Sequence, residues 1–349
     1  MKTALIAGAT GATGRDLAER LARDPEWQAI ALARKPAELP GARFVSVDLT
    51  DEADSRAKLG QLEEVTHIFY TARFDHTPNQ PEPVERNLVM LRNVVESVEP
   101  VARNLAHVHI VQGTKYYGSH LGAFRTPAKE TDPRCIQDVF YYAQEDYIVE
   151  RQCGKDWAWS TSRPHGICHA VPQEPRNLVL LTAVYALICK ELGLPLTFPG
   201  TPESYDALFQ CSSTGLLVSG MLWASETPAC ASQSFNMVNG DFIRWSNLWP
   251  LLAEHFGLEP GPVKTVRLSE AMANKGPVWD EIVRRHNLVS PPFEDLLVWG
   301  YGDYVFRCGW DIMSSMNKAR GHGFTESLDT EAEFFRLFDV FRERRLIPA

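Results

Sequence analysis

The segment TALIAGATGATGRDLAERL, residues 3–21, constrains this chain more than any other stretch. A short apolar run ends in Gly8, Gly11 and Gly14, a GxxGxxG spacing, and a helical pattern with Leu17 and Leu21 one turn apart comes directly after it. Glycines at a strand-to-helix turn permit a tight bend and a close backbone approach, and the helix start offers unpaired amides and the positive end of its dipole. A dinucleotide pyrophosphate suits such a turn. Glycine spacing alone is a weak signal, and its position at the first βα turn strengthens it. The other use of the same residues is a turn that merely packs helix on strand. The candidate contacts are Gly8, Thr10, Gly11, Ala12 and Gly14.

Beyond this turn the chain keeps alternating. WQAIALAR, RFVSVDLTD, THIFYTA, HVHIVQGTKYYG and AWSTSRPHGI read as strands, and PEPVERNLVMLRNVVESVEPV and YAQEDYIVERQCG read as helices between them. Strands alternating with helices predict a parallel, doubly wound α/β sheet of the Rossmann type. After about Gly166 the pattern changes to one long apolar helix, LVLLTAVYALIC, and then short pieces rich in Trp, Phe and Pro. With no repeat and no low-complexity linker, the expectation is a nucleotide-binding domain over 1–167. A smaller, mostly helical substrate lobe would occupy 168–349, with segments returning to the sheet.

The end of the second strand separates NAD from NADP. An NAD site places a carboxylate there for the ribose 2′-hydroxyl. This chain has ALARKP, with Arg34 and Lys35, and a guanidinium can clamp a 2′-phosphate. NADPH is therefore the expected cofactor, although such a pair also serves as ordinary solvated turn residues. Asp48 and Leu49, after the third strand, are candidates for the adenine side; Asp48 could equally cap the next helix.

Composition removes other classes. Lys and Arg total 35 against 44 Asp and Glu, a formal charge of −9, with no basic stripe, which argues against nucleic-acid binding. The longest apolar run is too short to span a bilayer, and the N-terminus lacks a signal-peptide pattern. Seven cysteines without a CxxC pair or a His/Cys spacing imply free thiols, no metal site and a cytoplasmic setting. The expected partners are a small molecule and, at most, a second copy of the chain.

DVFYYAQEDYIVER, residues 138–151, raises the chemical question. A reductase needs a donor for the oxygen that gains charge, and tyrosine with a nearby lysine commonly supplies it. On one helix face the pair stands four residues apart. Here Tyr141 is followed at that distance by Glu145, and Tyr142 by Asp146. A lysine must come from elsewhere, and Lys115 in QGTKYYG, past the fifth strand, is placed at the ligand-binding edge of a parallel sheet. On these residues alone Lys115 also reads as an ordinary strand-end lysine. Glu145 and Asp146 are expected to favour the helix N-terminus, and the tryptophans to form the core of the second lobe.

GATGATG, GTKYY and VFYYAQED together resemble the progesterone 5β-reductase/iridoid synthase-like (PRISE) family, an atypical branch of the extended short-chain dehydrogenases. The resemblance runs on through SRPHGI, VYALICKELGLPLTFPG, FNMVNGD, GPVWDEIVRRHNL and SMNKARGHGF, nearly the whole chain. It implies that Lys115 and Tyr141 are catalytic and also touch the cofactor, with Ile167 a further cofactor contact. It implies an NADPH-dependent reduction of the C=C bond of an activated enone, steroid-type enones included. His165, CHAVPQE and a short stretch between Lys115 and Tyr141 depart from the family pattern near the expected substrate cavity. Carbonyl reduction, sugar-nucleotide epimerisation or dehydration, and non-catalytic NADPH sensing are the competing uses of such a scaffold.

Overall fold

The computed structural model describes residues 1–75, 81–171 and 174–349; Pro172 and Gln173 of the CHAVPQE departure lie outside the described residues. Six strands in the first half, β1 (Lys2–Ala7), β2 (Trp27–Ala33), β3 (Ala42–Ser46), β4 (His67–Tyr70), β5 (His107–Val111) and β6 (Ala158–Arg163), form one parallel sheet. A seventh strand, Gln233–Asn236, pairs parallel with β6, and the order runs β3-β2-β1-β4-β5-β6 and then this strand. The chain order reverses between β1 and β4, which opens a crevice at the C-terminal edge where ligands bind in such sheets.

Both faces of the sheet are covered, and the central strands β1 and β2 are largely apolar on both sides. In contrast, β5 and β6 also bury His107, His109, Ser160 and Ser162, hydrogen-bonded to one another. Ala4, Ile6, Ala29 and Ala31 pack with helix α1 (Ala12–Leu21) and with the helix Thr214–Glu226. Leu5, Ala7, Ile30 and Leu32 face the other way, in one core with α2 (Glu52–Leu59), α3 (Val84–Val98) and α4 (Phe140–Gln152). The second lobe has its own core around α5 (Leu178–Glu191), with Trp245, Trp249, Trp279 and Trp299 all buried as expected. Trp310 is half-buried, and its indole N–H donates to the Ser119 carbonyl at 3.0 Å.

The two halves are interleaved: residues after 168 supply both a strand and a helix to the sheet layers. Among the described residues no helix is long and apolar enough to cross a membrane, and no group of three or more His, Cys, Asp or Glu is placed to hold a metal ion. All seven cysteines are unpaired.

Candidate active site

The three glycines of the first turn serve different ends. Gly8 has φ +83°, and a Cβ there would stand 2.8 Å from both the Ala72 nitrogen and Thr71 Oγ1. A Cβ on Gly14 would overlap the Gly8 carbonyl oxygen and lie 2.7 Å from Thr71 Oγ1. Packing of the turn against the end of β4 therefore requires both. Gly11 is free of such crowding: its nearest neighbours would be the Gly8 carbonyl at 3.5 Å and Glu174 Oε2 at 4.0 Å. It caps α1 with no side-chain hydrogen bond, no acid occupies the first turn, and the amides of Ala12, Thr13 and Gly14 find no acceptor among the described residues. Open donors at a helix start, with a bare glycine beside them, fit a pyrophosphate.

The other cofactor candidates spread along the same edge. Thr10, Arg34 and Lys35 are exposed, the last two directly after β2. Asp48 is exposed after β3, and the Thr50 hydroxyl and amide hold its carboxyl below the usual range. Asp48 does not cap α2; Asp51 does, accepting from the Ala53 and Asp54 amides. The Leu49 side chain is buried in the sheet core, and its carbonyl accepts from Asn93 at 2.9 Å. Ile167 begins a two-residue strand paired parallel with Ser212–Ser213.

The two tyrosines at the start of α4 separate cleanly. Tyr142 donates to the Tyr116 carbonyl at 2.6 Å and accepts from the Cys135 amide at 2.8 Å, so its hydroxyl is fully used in structure. The Tyr141 hydroxyl lies over the GTK turn, where a Cβ on Gly113 would stand 3.0 Å from it. Burial pushes the Tyr141 phenol up to about 12, partly offset by the Arg73 guanidinium that faces it. Lys115 is two residues past Gly113 in a short 3-10 turn, Thr114–Tyr117, but its ammonium pairs with Glu82 Oε2 at 3.7 Å. The loop and the tyrosine meet; the cation bearing most on the hydroxyl is Arg73, not the lysine.

The carboxylates of FYYAQED are not helix-end charges. Helix α4 has no acid in its first turn. Glu145 pairs with Arg163 at 3.3 Å, and Asp146 pairs with Arg134 through both oxygens at 2.5 and 2.8 Å. Arg163, 1% exposed at the end of β6, also donates to Gln112 Oε1 and the Tyr117 hydroxyl, both at 3.0 Å, and stacks 3.4 Å over the Tyr116 ring. Gln112 in turn donates to Glu145 at 3.2 Å and to the Tyr141 carbonyl at 3.3 Å. QGTK, FYYxxED and SRP are thus three edges of one buried polar network. It fixes the backbone of Tyr141 against the GTK turn, and it occupies the place where a helix lysine would stand.

Several site residues carry no signal of their own in the sequence. Arg73 and Asp75 lie past β4 and are joined at 2.5 Å; Arg176, just before α5, reaches the same Asp75 oxygen at 2.7 Å. Tyr301 and Tyr304, on the short helix Trp299–Val305, bring the second lobe to the site: Tyr304 bears on Tyr141 and Glu82, and Tyr301 on Arg73 and Arg176. His165, one of the departures from the family pattern, holds Thr114 Oγ1 at 2.6 Å, and burial depresses its pKa to about 4. It is a neutral imidazole tied to the GTK turn.

Residues 44–348 match the family of PRISE-like Rossmann-fold domains. The chain belongs to this family. The (S)-8-oxocitronellyl enol synthase of Nepeta racemosa is 36% identical, covering 99% of this chain and 93% of its own length. The 3-oxo-Δ(4,5)-steroid 5-beta-reductase of Arabidopsis thaliana is 33% identical over 99% of this chain and 92% of its own. Among solved structures, UDP-glucose 4-epimerase of Thermotoga maritima superposes with a TM-score of 0.69 at 15% identity, covering 98% of this chain and 99% of that one. The epimerase shares the fold; the PRISE relatives share the sequence over nearly its whole length.

Proposed function

We propose that the protein is an NADPH-dependent reductase of activated C=C bonds, with Tyr141 and Lys115 as its catalytic residues and 168–349 as its substrate lobe. The observation that carries this reading is the buried, protonated Tyr141 hydroxyl held over the GTK turn. Membership of a family whose relatives include an enol synthase and a steroid reductase supports it. Bound NADPH would supply a hydride for the enone β-carbon. The Gly11 turn and the open amides of α1 would hold its pyrophosphate, Arg34 and Lys35 its 2′-phosphate, with Asp48, Leu49 and Ile167 along the same edge.

The chain's part is to stabilise the oxygen that gains charge. With its phenol raised by burial, Tyr141 stays a neutral donor at ordinary pH and can hydrogen-bond a developing enolate. Lys115 is a positive charge on the same turn, and Glu82 restrains it. An epimerase-type pair on one helix has no place here, because Glu145 stands where the lysine would be and is committed to Arg163.

The test is NADPH oxidation over linear and cyclic enones, steroids and dialdehydes, with product analysis separating C=C from C=O reduction. Saturated carbonyl products are expected. If allylic alcohols form instead, the reaction is carbonyl reduction, and if NADPH binds without any turnover, the protein is a sensor.

A further inference from the structure

Resting on the enone-reductase reading, we propose that the natural enone carries a carboxylate next to its carbonyl, bound between Arg73 and Arg176. The class is that of unsaturated 2-oxo acids.

The arrangement around Asp75 motivates this. Two guanidiniums, one from the loop after β4 and one from the start of the second lobe, converge on one oxygen of one carboxylate, Arg176 reaching it across 101 residues of sequence. Each guanidinium is a planar fork able to grip both oxygens of an acid, so a single shared oxygen leaves most of that capacity unused. Among the described residues no other carboxylate pairs with either arginine. The Lys115–Glu82 pair cancels itself. Glu174, whose Oε1 accepts from the Arg176 backbone amide at 3.4 Å, balances with Asp75 the charge of the two arginines. An acid is therefore drawn here by the unused guanidinium N–H donors and not by a net charge.

Position then narrows the ligand. The three side chains keep 41%, 34% and 51% exposure for Arg73, Arg176 and Asp75, so an incoming anion can reach them. Arg73 faces the Tyr141 hydroxyl, the group that would meet the enone oxygen. A carboxylate gripped by Arg73 must then lie beside that oxygen and not at the far end of the substrate. The cofactor phosphates have sites of their own along the edge, at the α1 amides and at Arg34 and Lys35. Tyr301, from the second lobe, stands close enough to both arginines to feel their charge.

Benzylidenepyruvate and its methyl ester differ by this one charge. Calorimetric binding of each to the NADP⁺-loaded protein, and NADPH oxidation with each, should favour the acid by about ten- to a hundredfold. Raising the salt concentration should shrink that preference, and Arg176→Met should bring the acid-to-ester ratio near unity. Equal binding of acid and ester to the unmodified protein overturns the inference, and this comparison needs no variant. It also falls if Arg176→Met weakens NADPH binding while leaving the ratio intact, since the arginine then serves the cofactor. Preferential binding of the acid without turnover of either compound would cost the reductase reading and leave the anion site standing; equal binding and turnover of both would do the reverse.

Discussion

The phosphate turn and the tyrosine pocket lie on the same sheet edge but are built by opposite means. The turn is seven contiguous residues, Gly8 to Gly14, whose requirements are set by backbone geometry: a positive φ, a close approach to Thr71 and a helix start with free amides. The pocket draws Arg73, Glu82, Gly113, Tyr141 and Tyr304 from separate segments, the last from the other lobe. Its tyrosine is held by a buried network that itself joins three segments of the chain. A contiguous device changes little without failing, whereas a convergent one can change its substrate by altering one loop. The two should therefore fail differently when cut.

The largest effect is expected at the network that assembles the pocket. Glu145→Ala leaves the buried Arg163 without its carboxylate, which should cost about 3–5 kcal/mol of stability, read as a lower denaturation midpoint. A loss below about 1 kcal/mol would mean that Arg163 is satisfied by Gln112, Tyr117 and the Glu130 carbonyl without Glu145. Next comes the hydroxyl it supports. Tyr141→Phe should lower kcat/KM for an enone by about 10²–10³ while leaving NADPH affinity and thermal midpoint near the original values. A comparable loss from Tyr142→Phe with Tyr141→Phe active would reverse the roles assigned to the pair.

The same contrast explains which parts are legible in the sequence. The sheet and its crevice are legible because most strands carry a short apolar stretch and most crossovers are patterned helices, signals carried within a short local window. Gly8 and Gly14 are legible for the same reason. Glu145 and Asp146 read as helix-end charges, yet both are ion-paired elsewhere, because their partners Arg163 and Arg134 are distant or unpatterned and no spacing rule links them. Arg73 gives no signal because one arginine after a strand resembles any other. Its facing Tyr141 is a property of the sheet order, which places β4 beside β5, whose C-terminal end carries the GTK turn under the Tyr141 hydroxyl. The turn that carries Lys115 can be placed from sequence, but the ion pair with Glu82 depends on where the start of α3 lands.

The turn offers the complementary test. Gly14→Ala sets a methyl group against the Gly8 carbonyl and Thr71, and should cost about 1–3 kcal/mol, together with NADPH affinity, because the helix must move off the strand. Gly11→Ala has room for its methyl group, so it should leave stability nearly unchanged and weaken only cofactor binding. If both variants unfold alike, Gly11 is also a packing residue. Smaller still is the effect at Arg34. Removing its charge with Arg34→Ala should reduce the preference for NADPH over NADH by about tenfold, measured as the ratio of the two kcat/KM values. An unchanged ratio would leave Lys35 as the 2′-phosphate residue.

The smallest expected effect is an absence, and it bears most directly on the pocket. Burial disfavours the phenolate of Tyr141 and pushes its pKa up to about 12, more than Arg73 pulls it down. A group whose neutral form is favoured stays protonated until the pH approaches that value. Tyr141 should therefore act as a hydrogen-bond donor across the whole working range, and kcat/KM should show no alkaline fall due to it below roughly pH 11. If the rate instead depended on a tyrosinate prepared by a cation, activity would rise with pH through a value well under about 10, the ordinary tyrosine range, and lose that rise in a variant lacking the cation. The pH profiles of the original protein and of Arg73→Met distinguish the two. A flat profile in both keeps the donor role, with Arg73 free to serve the substrate. A rise that vanishes with Arg73 would give that arginine the part that the family resemblance implies for Lys115.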